Sequence, residues 1–419
     1  MSSVICRKCI EDSHLAKALE EYFQQLTCSE CGQRSRKAVT VEALAAVIEP
    51  VLREYFVQGG DIKHFGEDDS EWYEQDGESL DAIIQQVTEQ DFVFQEELVR
   101  AICDLDDAWP PDGDEVLWDS TASYVPRRMR PHEMALFWEV ATQEIKHGQR
   151  FFSPSVRLLF DRLFAGVGTM YAYAEGTKQP VTVSLSTDTA VYRSRVCASR
   201  AMMKDASADP MKHVGPPPAE MAKAGRMNAE GVVVLYTALD PDTARAELRP
   251  AIGSDLAVIK MTPVRRLKVL DMARLETVAA GALSYFQPDY EEEVLKHAFL
   301  RRLHRMISQP IVPGHEADYL ITQAMAEYLA NVHPEKYDGI KFTSAQNQGG
   351  MNLVLFSRSE FENDEMVARF GVDYVSGSIE FSRTSGVQYS QEPLVYFERQ
   401  DGEPVAYMKN GDYDLDDLE

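Results

Sequence analysis

No stretch of this 419-residue sequence approaches the eighteen or so consecutive apolar residues of a membrane-spanning helix. Its first residues, MSSVICRKCIEDSH, turn charged too early for the apolar core of a secretory signal. Both absences lead to the expectation of a soluble, cytoplasmic protein with no membrane partner. Also missing, in the structural context each needs, are a G-x-G-x-x-G turn, a Walker A loop and an H-E-x-x-H helix. No internal repeat is evident. Basic residues are scarce, with 42 Lys and Arg against 68 Asp and Glu, for a net charge of -26. The deficit is local: residues 61–120 hold 20 acids and 2 bases, and residues 401–419 hold 7 acids and 1 base. A polyanion of this kind is disfavoured as a partner for duplex nucleic acid, whose affinity for proteins comes mainly from phosphate contacts. Both acidic runs read as solvated surface or tail.

What is present is enough for globular domains. Hydrophobic residues make up 44% of the chain and charged residues 26%, and the length suffices for two or three cores. Over residues 1–180 the pattern is mostly helical. Leu15, Leu19, Tyr22, Phe23 and Leu26 recur at helical spacing, as do Leu44, Val47, Val51 and Tyr55. Further helices are expected over 91–104, 131–147 and 154–165, with the break WPPDGDEVLWD after the first of them. Past residue 180 short β-branched runs take over (VTVSLS, AVYRSRV, VVVLYTA, LAVIKM, LKVLDM, GIKFTS, NLVLFS, SIEFSR), with helical patterns at 240–249 and 317–331. The fold class is therefore expected to be α+β, with a helical domain over 1–180 and a mixed domain over 181–362. Residues 205–224 read as a long surface loop, 363–400 as a C-terminal β extension and 401–419 as an acidic tail.

Four of the six cysteines, Cys6, Cys9, Cys28 and Cys31, form C-x2-C-x18-C-x2-C. That spacing matches a zinc ribbon or knuckle, in which each pair turns two thiolates toward one ion. An amphipathic helix between the pairs is expected to bring them together. Four thiolates leave no position for water, so the zinc would be structural. Cys103 and Cys197 have no partner pattern and read as small buried hydrophobes.

Four patterns in the second half could carry chemistry. AVYRSR places Arg193 at the end of an apolar run. GRMNAEGVVVLYTALDPDTARAELR combines Gly225, Arg226, Asn228, Gly231, Tyr236 and Glu247. DYLITQAMAEYL holds Thr322 and Gln323, and YDGIKFTSAQNQGGMNLVLF holds Ser344 and Asn352 around a Gly-Gly loop. Together, over roughly 185–360, these resemble the RES family, named for an Arg, a Glu and a Ser. Met227 departs from its pattern, standing where the family usually carries an aromatic residue. The resemblance implies an ADP-ribosyltransferase-like fold and a toxin that destroys NAD. It assigns the family positions to Arg193 and Glu247, and leaves two hydroxyls, Ser344 and Thr322, for the serine. The N-terminal part is similar to the HEPN-type helical domains with a cysteine pair motif that precede some RES domains. The R-x4-6-H pattern of HEPN ribonucleases is met by Arg127 with His132 and by Arg7 with His14, a spacing loose enough to arise by chance.

The same residues have physical roles open to them. Nicotinamide leaves NAD through an oxocarbenium-like centre, and because the leaving ring is already cationic no strong acid is required. One carboxylate against the ribose, Glu247, can hold its hydroxyls and stabilise the developing charge. Asp240 can cap a short helix carrying Glu247. A pyrophosphate calls for a guanidinium, supplied by Arg193 or by Arg226 in the G-R-x-N turn. Tyr236 could stack on a base; Asn228, Gln323, Ser344 and Asn352 offer short polar contacts. The expected function is cleavage of the nicotinamide–ribose bond, with Arg193 and Glu247 converging on one cleft and water or phosphate as acceptor. The alternatives are ADP-ribosyl transfer to a macromolecule and a non-catalytic, zinc-clamped regulator. The N-terminal domain would position, sense or restrain the activity, through a homo-oligomer or through an antitoxin or other regulatory partner.

Overall fold

The computed structural model describes residues 2–65, 71–106, 116–127, 132–150, 152–174, 176–279, 283–308, 319–362, 365–387, 394–398 and 404–408. Most of the WPPDGDEVLWD break and of the 401–419 tail lies outside them, as does the spacer of the Arg127–His132 pattern. The chain is α+β and divides into two units. The first joins residues 1–183, 225–229 and 268–337; the second joins 184–224, 230–267 and 338–419.

The first unit opens on a three-stranded antiparallel sheet in which Arg34–Thr40 lies between Val4–Cys6 and Gln24–Thr27. The stretch between the cysteine pairs holds only a short helix, Ser13–Ala18, where a longer amphipathic one was expected. Asp12 starts it, its carboxylate accepting from the backbone N–H of His14 and Leu15. Leu15 and Leu19 are fully buried, but the apolar period then passes into the Gln24–Thr27 strand and leaves Tyr22 exposed. Thr40 caps the helix Val41–Tyr55 by accepting from the N–H of Ala43. Val41, Leu44, Ala45, Ile48 and Leu52 make its buried stripe, packed with residues of Leu80–Thr88 and Gln95–Asp106. A small sheet of Phe56–Gln58, Ser123–Pro126 and Glu78–Ser79 was not foreseen from the pattern.

A second group of helices in this unit, His132–His147, Pro154–Leu163, Tyr290–Ser308 and Leu320–Glu327, packs around aromatic side chains. Trp138 meets Phe160 and Phe299, and Phe160 meets Tyr328, at ring separations of 5.4–6.3 Å. No helix is long and apolar enough to cross a membrane among the described residues.

The second unit is built on an antiparallel sheet ordered Gly339–Thr343, Met351–Phe356, Val234–Ala238, Val191–Cys197 and Asp255–Pro263. The last strand also pairs with Val372–Tyr374 and Glu380–Arg383. Its middle strands are nearly continuous runs of buried residues (Leu256 to Ile259, Leu353 to Leu355), the mark of a sheet covered on both sides. Residues 205–224 are not the surface loop expected from their polarity. Ser199 and Asp209 cap two successive helices, Arg200–Ala208 and Pro210–Val214, and a single turn follows at Ala219–Met221. Pro210 sits at the first helical position, where a missing N–H is harmless. The helix leading to Glu247 is shorter than expected, Pro241–Ala246, and is capped by Asp240 as anticipated.

Candidate functional site

Glu247 follows the last residue of the Pro241–Ala246 helix, and its backbone N–H still bonds to the Thr243 carbonyl at 3.0 Å. The side chain is exposed, but one oxygen is held. Glu247 Oε1 accepts from Ser344 Oγ at 2.5 Å and from Asn352 Nδ2 at 2.7 Å. Ser344 follows the Gly339–Thr343 strand and Asn352 lies on the next one, so residues about a hundred positions away converge on the carboxylate. Ser344 Oγ is itself an acceptor, taking the N–H of Gln346 and of Asn347 at 3.1 Å each. With both of these donors behind it, the hydroxyl proton points at the carboxylate. Glu247 Oε2 makes no hydrogen bond among the described residues.

Of the two candidate hydroxyls, Ser344 is the one bonded to Glu247. Thr322 Oγ1 is buried, 2.7 Å from the carbonyl oxygen of Arg226 and 2.9 Å from that of Tyr319. Gln323 Nε2 donates to the Gly225 carbonyl at 2.8 Å, and Arg226 Nη1 donates to the Ile307 carbonyl. Asn228 is buried and donates to the Ala229 carbonyl at 3.1 Å. Thr322 and Gln323 therefore clamp the backbone of the G-R-M-N turn, with Met227 buried inside it.

Arg193 has other hydrogen-bond partners. Asn352, Ala238 and Tyr192 lie opposite one another on neighbouring strands and share a face of the sheet, so Arg193, next along the strand, starts from the other face. It shares no hydrogen bond or ion pair with Glu247 among the described residues. Its Nε donates to the Val214 carbonyl and its Nη1 to the Tyr236 carbonyl, both at 2.8 Å, and Arg195 Nη1 reaches the His213 carbonyl at 2.7 Å. Two of these three acceptors, His213 and Val214, end the Pro210–Val214 helix, whose last carbonyls have no intrahelical donor and carry the negative end of its dipole. Burial, with Arg195 alongside, pulls the Arg193 guanidinium down to about 10 against a smaller opposing effect of Tyr236. Tyr236 is half-buried on the central strand.

The four cysteine sulfurs lie within 4.8 Å of one another. Cys6 to Cys9 is 3.7 Å, Cys6 to Cys31 is 3.9 Å and Cys28 to Cys9 is 3.9 Å. Four sulfurs at about 2.3 Å from a tetrahedral zinc stand about 3.8 Å apart, so the set fits that ion. Without an ion the four thiols titrate unequally: burial raises those of Cys6 and Cys9, whereas at Cys28 burial is outweighed by backbone N–H groups of Cys31, Cys6 and Glu30, which bring it to about 7. Gly32, at φ 69°, closes the second knuckle. Cys197 is buried and Cys103 is partly buried against the helical core, as small hydrophobes would be.

Residues 191–375 match the family model described as RES domain, under half of the chain. The chain thus carries a RES domain. At family level that implies an NAD-related, toxin-like function in a family that is generally enzymatic and often has an antitoxin partner. The match covers none of residues 1–190, so the HEPN resemblance there has no support from it. No curated protein and no solved structure matches.

Proposed function

We propose that this protein cleaves NAD at the nicotinamide–ribose bond, with Glu247 as the catalytic carboxylate. The observation that supports this most is the convergence of Ser344 and Asn352 on Glu247 within a matched RES domain. Two neutral donors fix Oε1, on a residue that directly follows a capped helix. In the reaction the bond from ribose C1 to the nicotinamide nitrogen breaks, and the ring leaves with the electron pair as neutral nicotinamide. The cation left on the ribose is held by Glu247, and a water or phosphate oxygen forms the new bond to C1. With water, one proton is released and the products are ADP-ribose and nicotinamide. Glu247 stabilises charge and orients the sugar; it does not need to protonate the leaving group.

Arg193 acts in this reading by fixing the strand and helix around Tyr236, since two of its donors already serve backbone carbonyls. Arg226, Asn228 and Gln323 shape the G-R-M-N turn. Cys6, Cys9, Cys28 and Cys31 would hold a zinc ion that supplies structure only. Incubating the purified protein with NAD, alone and with phosphate, tests the reading: loss of NAD in wild type, with E247Q slower by about 10²–10³, supports it. Intact NAD with folded wild-type protein overturns it. Protein or nucleic-acid adducts in a lysate, found by mass spectrometry in place of free products, would favour transfer of ADP-ribose to a macromolecule.

A further inference from the structure

Ser344 can orient Glu247 only if its own loop is held, and the loop is held by residues outside the RES triad of Arg, Glu and Ser. Residues 344–350 close on themselves, with Ser344 N–H bonded to the Gly350 carbonyl and Gly350 N–H to the Asn347 carbonyl, both at 2.9 Å. Asn347 also gives its backbone N–H to Ser344 Oγ at 3.1 Å. Its side chain then leaves the loop, Nδ2 donating to Thr243 Oγ1 at 2.7 Å. Thr243 lies on the helix that leads to Glu247 and is 0% exposed. Its hydroxyl donates to Asp240 Oδ2 at 2.6 Å, and its N–H donates to Asp240 Oδ1 at 2.7 Å.

Each link has a fixed direction. The Asp240 carboxylate can only accept, so the Thr243 hydroxyl must give it the proton and turn a lone pair toward Asn347. The fit is tight where loop and helix meet: a Cβ on Gly350 would stand 2.1 Å from Thr243 Oγ1. Gly350 is therefore required for this approach, whatever its backbone angles. The helix that leads to Glu247 and the loop of Ser344 thus share one polar joint, in addition to the bond between the two functional groups.

We infer that Thr243 and Asn347 are positioning residues, which lock the Ser344 loop onto the Glu247 helix and so set the geometry of the carboxylate. This rests on the NAD-cleavage reading above. Without the joint the protein still folds and still offers its NAD-binding surface, but Ser344 and Glu247 no longer hold one arrangement. A displacement of about 1 Å at a reacting group can lower turnover 10²-fold, and a loosened joint with the groups still present should cost less.

The test is steady-state kinetics on full-length T243V, T243S and N347A, with thermal melting of each. Expected are a fall in kcat of about tenfold for T243V and N347A, a KM for NAD within about twofold of wild type, and restoration by T243S, which keeps the hydroxyl. The double variant T243V/N347A should be no slower than the worse single, because both break one path. Wild-type kcat in T243V and N347A overturns the inference, as does a loss that T243S does not restore. Should T243V fail to fold, N347A, on the loop itself, decides by the same criterion. Wild-type protein that leaves NAD intact defeats the cleavage reading; wild-type turnover unmoved by these variants defeats only the joint.

Discussion

Arg193 has two roles open to it, a phosphate ligand and an anchor for the backbone around it. A permanently charged side chain interrupting an apolar strand looks like a phosphate ligand, yet its partners are the carbonyls of Val214 and Tyr236. The two roles predict different kinetics. R193K keeps the charge but loses the rigid fork, so it should lower stability by about 2 kcal/mol in urea unfolding while leaving KM for NAD nearly unchanged. A raised KM with full stability would restore the phosphate role. His297 gives a second prediction at this scale. It is 5% exposed, burial depresses it below its ordinary 6.5, and the Glu293 carbonyl 2.8 Å from Nδ1 opposes that effect only in part. Glu293 favours the charged form, while Lys296 and Arg301 oppose it. Below pH 6.5 the unfolded chain takes up a proton that the folded one refuses. His297 therefore leaves stability intact above 6.5 and erodes it as pH falls toward the depressed folded value. Unfolding free energies of wild type and H297F should diverge in slope below pH 6.5; parallel curves would contradict this.

At the scale of elements, the cysteine knuckles are joined to the core of the first unit. Their sheet leads directly into the Val41–Tyr55 helix, and Ile5 and Leu15 belong to the core that this helix buries. Zinc should therefore be stoichiometric, one per chain by elemental analysis, and C28S or a strong chelator should lower the melting temperature of the first unit. A metal-free protein melting like wild type would count against it. The knuckles, the strands past residue 190 and the Asp240 cap were legible because each rests on local chemistry: paired thiolates, β-branched runs, a carboxylate before proline. Other features were hidden for the same reason. Residues 205–224 look like a loop by polarity, and only the caps at Ser199 and Asp209 would have marked their helices. The hairpin after Ala18 was masked because Leu19, Phe23 and Leu26 continue a helical period into a strand. Ser344 and Thr322 could not be separated from the chain alone, since only the antiparallel pairing of Gly339–Thr343 with Met351–Phe356 brings Ser344 beside Asn352. Thr243 and Asn347 carried a faint signal, D-P-x-T and S-x-x-N, that reads locally as a cap and a turn; their contact exists only in three dimensions.

The acidic run over 61–120 belongs to the first unit, and the Glu247 constellation to the second, where the RES match lies. The account stands or falls on whether that carboxylate acts on NAD. The most direct measurement is a time course of NAD by proton and phosphorus NMR, with wild type and E247Q at equal concentration, each with and without phosphate. The account predicts release of free nicotinamide by wild type, a ribose C1 product carrying either hydroxyl or phosphate, and almost no change with E247Q at an unchanged melting temperature. Nicotinamide released equally fast by E247Q would contradict it.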